Sequence, residues 1–268
     1  MVIGEEYMEK KRIEEELHEK QSASSHGRLL GEGAFAKVYF ERDKERPVAS
    51  KESEYAELLE REAQVLKQLD HPLFPRFYGF QKNKERAVLK MEYVEGITLK
   101  HFWKESTGVR KSTEVQIVGI GKQIAEGLEY LHGKGLLYRD LKPQNIMLTK
   151  KGEVKLIDFG CVCKIGANPG VAGTPGFAAP EQLSFGGKLT KSCDVYGLGS
   201  VLRSMTGKRC SRRLNRVIEA CLRTEPEKRP PDMEWVLELL QLLLADNKPD
   251  GIMPGLLKGD VIFEKIIP

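Results

Sequence analysis

Residues 138–145 read Tyr-Arg-Asp-Leu-Lys-Pro-Gln-Asn, and Asp158-Phe159-Gly160 follows shortly afterwards. Asp140 is a carboxylate that can accept a proton, and Lys142 is a cation that can lie against a phosphate. Asn145 and Asp158 offer two oxygen ligands. Phosphoryl transfer to a hydroxyl requires this set of groups. The question for the rest of the sequence is therefore what holds these groups in place.

The composition is that of an ordinary globular protein. The chain has 268 residues, of which 40% are hydrophobic and 31% charged, with a net charge of +4. This length fits one domain of two lobes or two small domains. The net charge is too small to indicate nucleic-acid binding by itself. No apolar stretch reaches the roughly 20 residues that a membrane span needs.

The N-terminus and the cysteines bear on location. Residues 1–6 lack the basic head and apolar run of a secretory signal. The five cysteines are an odd number and do not resemble a disulfide framework. A reducing cytoplasm is therefore the expected location.

The first half of the chain predicts a small sheet with one helix. Residues 29–40 read as strand, glycine turn and strand, and glycines let a backbone approach phosphates. A third strand ends at Lys51, and apolar periodicity predicts a helix over Glu52–Leu69. Two more strands are expected at Phe77–Phe80 and Ala87–Met91.

The second half predicts mainly helices. Thr113 and Gln116 form the capping-box pattern that begins a helix. Three further helices are expected, at 194–206, 214–222 and 235–245. The segment from Gly160 to Glu181 is rich in Gly, Pro and Ala and predicts an exposed loop.

Five motifs occur in a fixed order along the chain. They are Gly31-x-Gly33-x-x-Ala36-x-Val38, Val48-Ala49-Ser50-Lys51, Tyr138-Arg139-Asp140-x-Lys142-x-x-Asn145, Asp158-Phe159-Gly160 and Ala179-Pro180-Glu181. Their order and spacing resemble the protein kinase superfamily over roughly residues 28–245. Lys142, two residues after Asp140, resembles the Ser/Thr pattern. The stretch 173–181 resembles bacterial, eukaryotic-like (Hanks) kinases.

The resemblance implies an α+β, bilobal protein kinase-like fold, with a small antiparallel β-sheet lobe and a larger, mainly helical lobe. The implied organisation is a charged N-terminal arm (1–25), a kinase domain (26–245) and a C-terminal tail (246–268). Within the domain, the small lobe is expected at 26–91, the hinge at 92–96 and the large lobe at 97–245.

The resemblance also implies ATP and Mg²⁺ as cofactors, with Mn²⁺ as an alternative ion. Asn145 and Asp158 would bind the metal. Asp140 would act as the base toward a Ser or Thr hydroxyl, and Lys142 would stabilise the transferred phosphoryl group. Lys51, oriented by Glu62, would hold the α and β phosphates.

Other positions follow the family in the same way. The implied nucleotide-binding residues are Gly31, Glu32, Gly33, Ala34, Phe35, Val38, Ala49, Lys51, Met91, Glu92, Val94 and Met147. Glu92 and Val94 would bond adenine through their backbone, after Met91 at the gatekeeper position. The implied structural contacts are a Glu181–Arg229 ion pair, hydrogen bonds from Asp194 to the backbone near Tyr138 and Arg139, and an apolar column of Leu66, Phe77, Tyr138 and Phe159.

The sequence departs from the family in the catalytic loop and the segment after it. Tyr138 stands where many relatives have His and is expected to fill the same apolar slot. Residues 161–172 contain no Ser, Thr or Tyr. The phosphate that Arg139 would usually bind therefore has no acceptor there. This absence predicts activity without activation-loop phosphorylation.

Two further departures lie elsewhere. The interval between Asp194 and Arg229 is short, which predicts that a helix common in relatives is shortened or missing. The basic stretch Lys208–Arg216 is either a solvated cap or a site for an acidic partner, and its lack of aromatic residues argues against nucleic acid. Cys161 is expected to be packed, with a reachable thiol near the nucleotide as the alternative.

The sequence thus predicts ATP-dependent phosphoryl transfer to Ser or Thr hydroxyls of protein substrates, without a membrane. Two alternatives stay open. One is a pseudokinase scaffold that binds partners without transfer, and the other is a small-molecule kinase. The physiological substrate, the oligomeric state and the trigger are not predicted.

Overall fold

The computed structural model describes residues 27–106, 113–186, 188–207 and 210–246. They divide into two compact units. The smaller unit contains residues 27–68 and Arg76–Tyr93, and the larger unit contains Leu69–Pro75 and the described residues from Val94 onward. The predicted arm 1–25 and residues 247–268 of the predicted tail lie outside the described residues.

The smaller unit is a five-stranded antiparallel sheet with one helix. The strands are β1 (Arg28–Glu32), β2 (Lys37–Asp43), β3 (Arg46–Ser53), β4 (Phe77–Lys82) and β5 (Ala87–Glu92). They lie in the order β1-β2-β3-β5-β4. The central strand β3 is the most enclosed, with Val48, Ala49 and Ser50 all buried.

Helix α1 (Ala56–Lys67) follows β3 and begins later than predicted. Glu52 and Ser53 continue β3, where Ser53 lies opposite Ala87 of β5. The backbone groups of Glu52 and Ser53 therefore pair in the sheet, so these residues are not part of a helix as the predicted range Glu52–Leu69 required. The buried face of α1 consists of Leu59, Glu62, Ala63 and Leu66.

The larger unit is mainly helical. Its helices are α2 (Leu99–Ser106), α3 (Glu114–Gly133), α4 (Ser192–Thr206), α5 (Arg212–Cys221) and α6 (Met233–Asp246). Its strands are β6 (Gly96–Thr98), β7 (Leu136–Leu137), β8 (Ile146–Thr149), β9 (Val154–Leu156) and β10 (Cys163–Lys164). Strands β6, β8 and β9 form one antiparallel sheet, and β10 pairs with β7. The predicted α+β class is confirmed, while α2 was not predicted.

Local signals place two of these helices. Thr113 accepts a hydrogen bond from the Gln116 N–H, and the Gln116 side chain accepts one from the Thr113 N–H, which confirms the capping box of α3. Helix α4 ends at Thr206 and α5 begins at Arg212, and the shortening or loss of a helix common in relatives stays a prediction. The two helices pack closely, because a Cβ added at Gly199 would lie 2.6 Å from the Cys221 Cβ.

The expected lobe bounds need two corrections. Leu69–Pro75 belong to the larger unit, because the Leu73 carbonyl accepts from the Leu156 N–H at 2.9 Å and Phe74 packs against Phe159. The expected hinge at 92–96 also overlaps two strands, because Glu92 pairs in β5 and Gly96 pairs in β6. No helix in the described part of the chain is long and apolar enough to cross a membrane.

Candidate active site

Lys51 and Glu62 form an ion pair inside the smaller unit. The Lys51 Nζ lies 2.8 Å from each carboxylate oxygen of Glu62. The Glu62 side chain is 4% exposed and that of Lys51 is 13% exposed. Removing one partner of such a pair leaves an uncompensated charge away from water. The pair therefore fixes the Lys51 ammonium at one place on β3.

The glycine loop (residues 31–38) is the exposed turn between β1 and β2. The Gly33 N–H donates to the Ala36 carbonyl at 2.9 Å, and Gly31 lies opposite Val38 in the ladder. The sequence-predicted residues Glu32, Ala34 and Phe35 are all exposed here. The loop is thus a tight, exposed turn between two paired strands.

The residues expected near adenine occupy several elements. In the smaller unit, Ala49 lies opposite Met91 between β3 and β5, and both are buried. The Glu92 N–H donates to the Arg76 carbonyl at 2.8 Å. In the larger unit, Val94 is buried and Met147 is half-buried in β8.

Asp140 lies at the centre of a polar cluster in the larger unit. Its Oδ2 accepts from the Lys142 Nζ at 2.7 Å, and its Oδ1 accepts from the Thr174 hydroxyl at 2.7 Å. The Lys142 Nζ also donates to the Thr174 Oγ1 at 2.9 Å. The cluster thus holds a carboxylate, an ammonium and a hydroxyl in mutual contact, each with a defined orientation.

Asn145 joins this cluster from the following turn. Its amide nitrogen donates to the carbonyl and the Oδ2 of Asp140, both at 3.0 Å. The amide oxygen is consequently turned away from Asp140. The Asn145 carbonyl accepts a hydrogen bond from the Ile157 N–H at 3.0 Å. Asp158 is the residue that follows Ile157 in the chain.

The donor set of Asn145 and Asp158 fits Mg²⁺. Both offer hard oxygen atoms, and Mg²⁺ in proteins binds through one or two carboxylates together with waters and substrate phosphates. Among the described residues, no group of three or more His, Cys, Asp or Glu side chains could form a metal cage of its own. A metal ion that has only two protein oxygen ligands keeps coordination positions for phosphate oxygens.

Asp194, in the first turn of α4, holds the backbone of the catalytic loop (residues 138–145). Its carboxylate accepts from the N–H groups of Tyr138 and Arg139, both at 2.8 Å, so the predicted contact is present. It also lies 2.9 Å from the His132 Nε2, which sequence reasoning missed. Arg139 has φ of 70°, a left-handed conformation that non-glycine residues rarely adopt. Asp194 therefore stabilises an unusual backbone shape.

Tyr138 fills a fully buried apolar slot, as predicted. Its ring meets Phe159 edge to face, with centroids 6.0 Å apart. Burial raises the pKa of the Tyr138 hydroxyl well above its usual value, so it stays neutral. Of the expected apolar column, Tyr138 and Phe159 lie in the larger unit and Leu66 and Phe77 in the smaller one.

The Arg139 side chain is buried and bonded to the backbone of the segment after Gly160. Its guanidinium donates to the carbonyls of Cys161 at 3.2 Å and Gly170 at 2.9 Å. Gln182 fastens the same segment, because its amide nitrogen donates to the Arg139 carbonyl at 2.8 Å. The predicted exposed loop is indeed exposed at residues 168–171, whereas these contacts enclose other parts of it.

Cys161 has the character of a packed thiol. Burial raises the pKa of Cys161 to about 11, with smaller contributions from the carboxylates of Asp140 and Asp158. The thiolate is the nucleophilic form of cysteine. A thiol with this pKa is therefore weakly reactive at neutral pH.

All five N–H groups of the Arg229 guanidinium donate hydrogen bonds. It makes two hydrogen bonds to the Glu181 carboxylate, at 2.6 and 2.9 Å. Its other three N–H groups donate to the carbonyls of Ser192, Arg223 and Thr224. The predicted ion pair is thus present, and it joins the end of the segment after Gly160 to the helices.

The basic stretch is partly described. Arg212 and Arg216 are exposed on α5, whereas Lys208 and Arg209 lie outside the described residues. Ser211 caps α5 by accepting from the Leu214 N–H, and its own N–H donates to Glu114 at 2.6 Å. The helix therefore presents its arginines from a fixed position.

Known proteins resemble this chain over the same elements. The protein kinase domain family matches residues 24–212. Mitogen-activated protein kinase kinase kinase 17 of Arabidopsis thaliana is 34% identical over 190 residues, which cover 67% of this chain and 50% of that protein. Serine/threonine-protein kinase PrkC of Bacillus subtilis is 32% identical over 197 residues, 68% of this chain and 30% of that protein.

Cytokinesis protein sepH of Aspergillus terreus is 36% identical over 192 residues, which cover 68% of this chain and 14% of that protein. The match thus spans half or less of the length of these relatives. The residues matched by the family model, 24–212, include the glycine loop, the Lys51–Glu62 pair and the Asp140 cluster. The chain therefore belongs to the protein kinase family.

Proposed function

We propose that this chain transfers the γ-phosphate of ATP to Ser or Thr hydroxyls of protein substrates. The Asp140 cluster carries the proposal. A carboxylate held by Lys142, Thr174 and Asn145 is oriented before any substrate arrives. Catalysis of phosphoryl transfer depends mainly on such positioning and on charge stabilisation. Two of the three relatives carry protein kinase names, and one of these is a serine/threonine-protein kinase.

The cluster supplies two chemical roles. Asp140 accepts the proton of the substrate hydroxyl as the oxygen attacks phosphorus. Lys142, 2.7 Å from that carboxylate, stabilises negative charge on the transferred group. Thr174 holds both side chains and thereby limits their movement.

The nucleotide assignment follows the resemblance to the family. Lys51, held by Glu62, is assigned to the α and β phosphates, and the glycine loop to the phosphates through its backbone. The side chains of Val38, Ala49 and Met147 are assigned to adenine, with Met91 at the gatekeeper position and the backbone of Glu92 and Val94 as its hydrogen-bonding partners. Asn145 and Asp158 are assigned to Mg²⁺, or Mn²⁺ as an alternative, which neutralises phosphate charge when bound.

Phosphate transfer from labelled ATP tests the proposal. Wild-type protein with Mg²⁺ should label itself or an added Ser/Thr-containing protein, and Lys51→Ala should not. Phosphoamino-acid analysis should show phosphoserine or phosphothreonine. Nucleotide binding without transfer would favour the pseudokinase scaffold. Transfer to small alcohols alone would favour a small-molecule kinase.

The exposed arginines of α5 support a narrower proposal, that acidic segments of a substrate or partner dock there. Arg212 and Arg216 face solvent, and closely spaced like charges attract an opposite partner. Arg212→Glu with Arg216→Glu should slow modification of an acidic substrate and leave a neutral one unaffected. Equal rates on both substrates in the variant and the wild type would refute this docking site.

We also propose that the chain is located in the cytoplasm. All five cysteines are free in the structure, in keeping with the reducing cytoplasm proposed from their number.

A further inference from the structure

The tip of the glycine loop is anchored although it is exposed. The Phe35 side chain is 62% exposed. Nevertheless the Ser53 hydroxyl donates to the Phe35 carbonyl at 2.5 Å. The Phe35 ring also meets the Tyr55 ring edge to face, with centroids 5.5 Å apart. Backbone and side chain of the same residue are therefore both held from the end of β3.

Ser53 connects this tip to helix α1. Its side chain is buried, and its Oγ accepts from the Tyr55 N–H at 3.0 Å while its proton goes to Phe35. Tyr55 precedes α1, and its carbonyl accepts from the N–H groups of Leu58 and Leu59. One hydroxyl thus joins the loop tip to the first turn of the helix that carries Glu62.

This connection has an energetic consequence. An exposed turn between two strands samples many conformations, and ordering it around a ligand costs conformational entropy. A turn that is already anchored at its tip loses less entropy when nucleotide binds. Lys51 on β3 is held by Glu62, which lies on the helix that follows Tyr55.

We propose that Ser53 and Tyr55 are positioning residues, which hold the Phe35 tip of the glycine loop ready for the phosphates of ATP. This proposal rests on the proposed function, because it assigns the loop to nucleotide phosphates. Ser53 acts through the Phe35 backbone, and Tyr55 acts through the Phe35 ring. Neither contact involves a reacting atom.

The test separates nucleotide affinity from turnover. Ser53→Ala should raise the KM for ATP about fivefold, the effect of losing the hydrogen bond that anchors the Phe35 carbonyl, while kcat and the KM for protein substrate stay near wild type. Tyr55→Ala should have the same effect at an exposed position where folding is not at risk. Ser53→Thr restores the hydroxyl and Tyr55→Phe keeps the ring, so both should behave as wild type.

Ser204→Ala is the matched control. The Ser204 hydroxyl also donates to a backbone carbonyl, that of Val201 at 2.7 Å, but it lies on α4. An unchanged KM for ATP in both Ser53→Ala and Tyr55→Ala would overturn the proposal. So would a loss confined to kcat with a lowered melting temperature. Direct titration with a fluorescent ATP analogue measures the same shift in a protein that lacks transfer activity, so failure of the anchor and failure of the proposed function are distinguishable.

Discussion

The catalytic loop is held by buried contacts along its backbone, whereas the glycine loop is held at its exposed tip by residues at the end of β3 and just before α1. Asp194 and Gln182 bond the backbone of the first loop, and Thr174 bonds the Asp140 side chain. Ser53 and Tyr55 contact the second loop at a single residue, Phe35. Because of this difference, substitutions at the two loops should change different kinetic constants. Damage to the first should appear in kcat, and damage to the second in the KM for ATP.

The strongest test of this contrast is Asp140→Asn. It preserves shape but removes the proposed base, so kcat should fall about 10²–10⁴-fold with little change in the KM for ATP. Steady-state kinetics with labelled ATP measure both. Asp70→Asn, at an exposed site, is the control and should behave as wild type. Near-normal turnover of Asp140→Asn would contradict the assignment of the base.

The second test uses the alkylation rate of the Cys161 thiol to measure how strongly the segment after the catalytic loop is buried. With its pKa at about 11 instead of 9.0, the thiolate fraction at pH 8 drops about a hundredfold. Alkylation by iodoacetamide should therefore be about a hundredfold slower than in the unfolded chain, and should accelerate as pH rises toward 11. Peptide mass spectrometry follows the rate.

Two outcomes of the alkylation experiment are decisive. Native Cys161 that reacts as fast as the unfolded thiol would show that this region is open. A rate that ATP leaves unchanged would remove the alternative that Cys161 lies near the nucleotide.

The third test removes the donors of Arg139. Arg139→Met keeps the length of the side chain but leaves the carbonyls of Cys161 and Gly170 without their charged partner. Such bonds are stronger than neutral ones, so we expect kcat to fall about tenfold. Trypsin cleavage after Lys164 should also become faster. Arg203→Met, which loses bonds to Gly207 and Asn215 on the other side of α4, should change neither property.

The smallest expected effect concerns phosphorylation. Residues 161–172 carry no hydroxyl side chain, and Arg139 already has backbone partners there. Treatment with phosphatase should therefore leave kcat unchanged, provided that intact-mass measurement shows complete removal of phosphate. Loss of activity on dephosphorylation would show that the catalytic loop needs a modification to reach its working geometry.

Motif order predicted the contacts that depend on a few charged residues. The pairs Lys51–Glu62 and Glu181–Arg229, and the hydrogen bonds of Asp194, are all present. Each requires specific side chains at a recognisable spacing, so the sequence carries the signal directly. The roles of these residues in catalysis stay predictions.

Other features depend on where the backbone finds its partners, which one sequence does not reveal. Helix α1 starts at Ala56 because sheet pairing extends to Ser53, although periodicity favoured an earlier start. Gln182 and Ser53 bind backbone carbonyls far along the chain, at Arg139 and Phe35. The sequence around a single Gln or Ser does not predict which backbone carbonyl its side chain will bind.

The left-handed conformation of Arg139 has a consequence for the order of folding. This φ of 70° is accompanied by hydrogen bonds to Asp194, which is 55 residues further along the chain. During synthesis, residues 138–145 leave the ribosome before the helix that fixes them exists. The catalytic motif is therefore complete in sequence before it is complete in shape. A nascent chain that ends before α4 carries the chemical groups without their geometry.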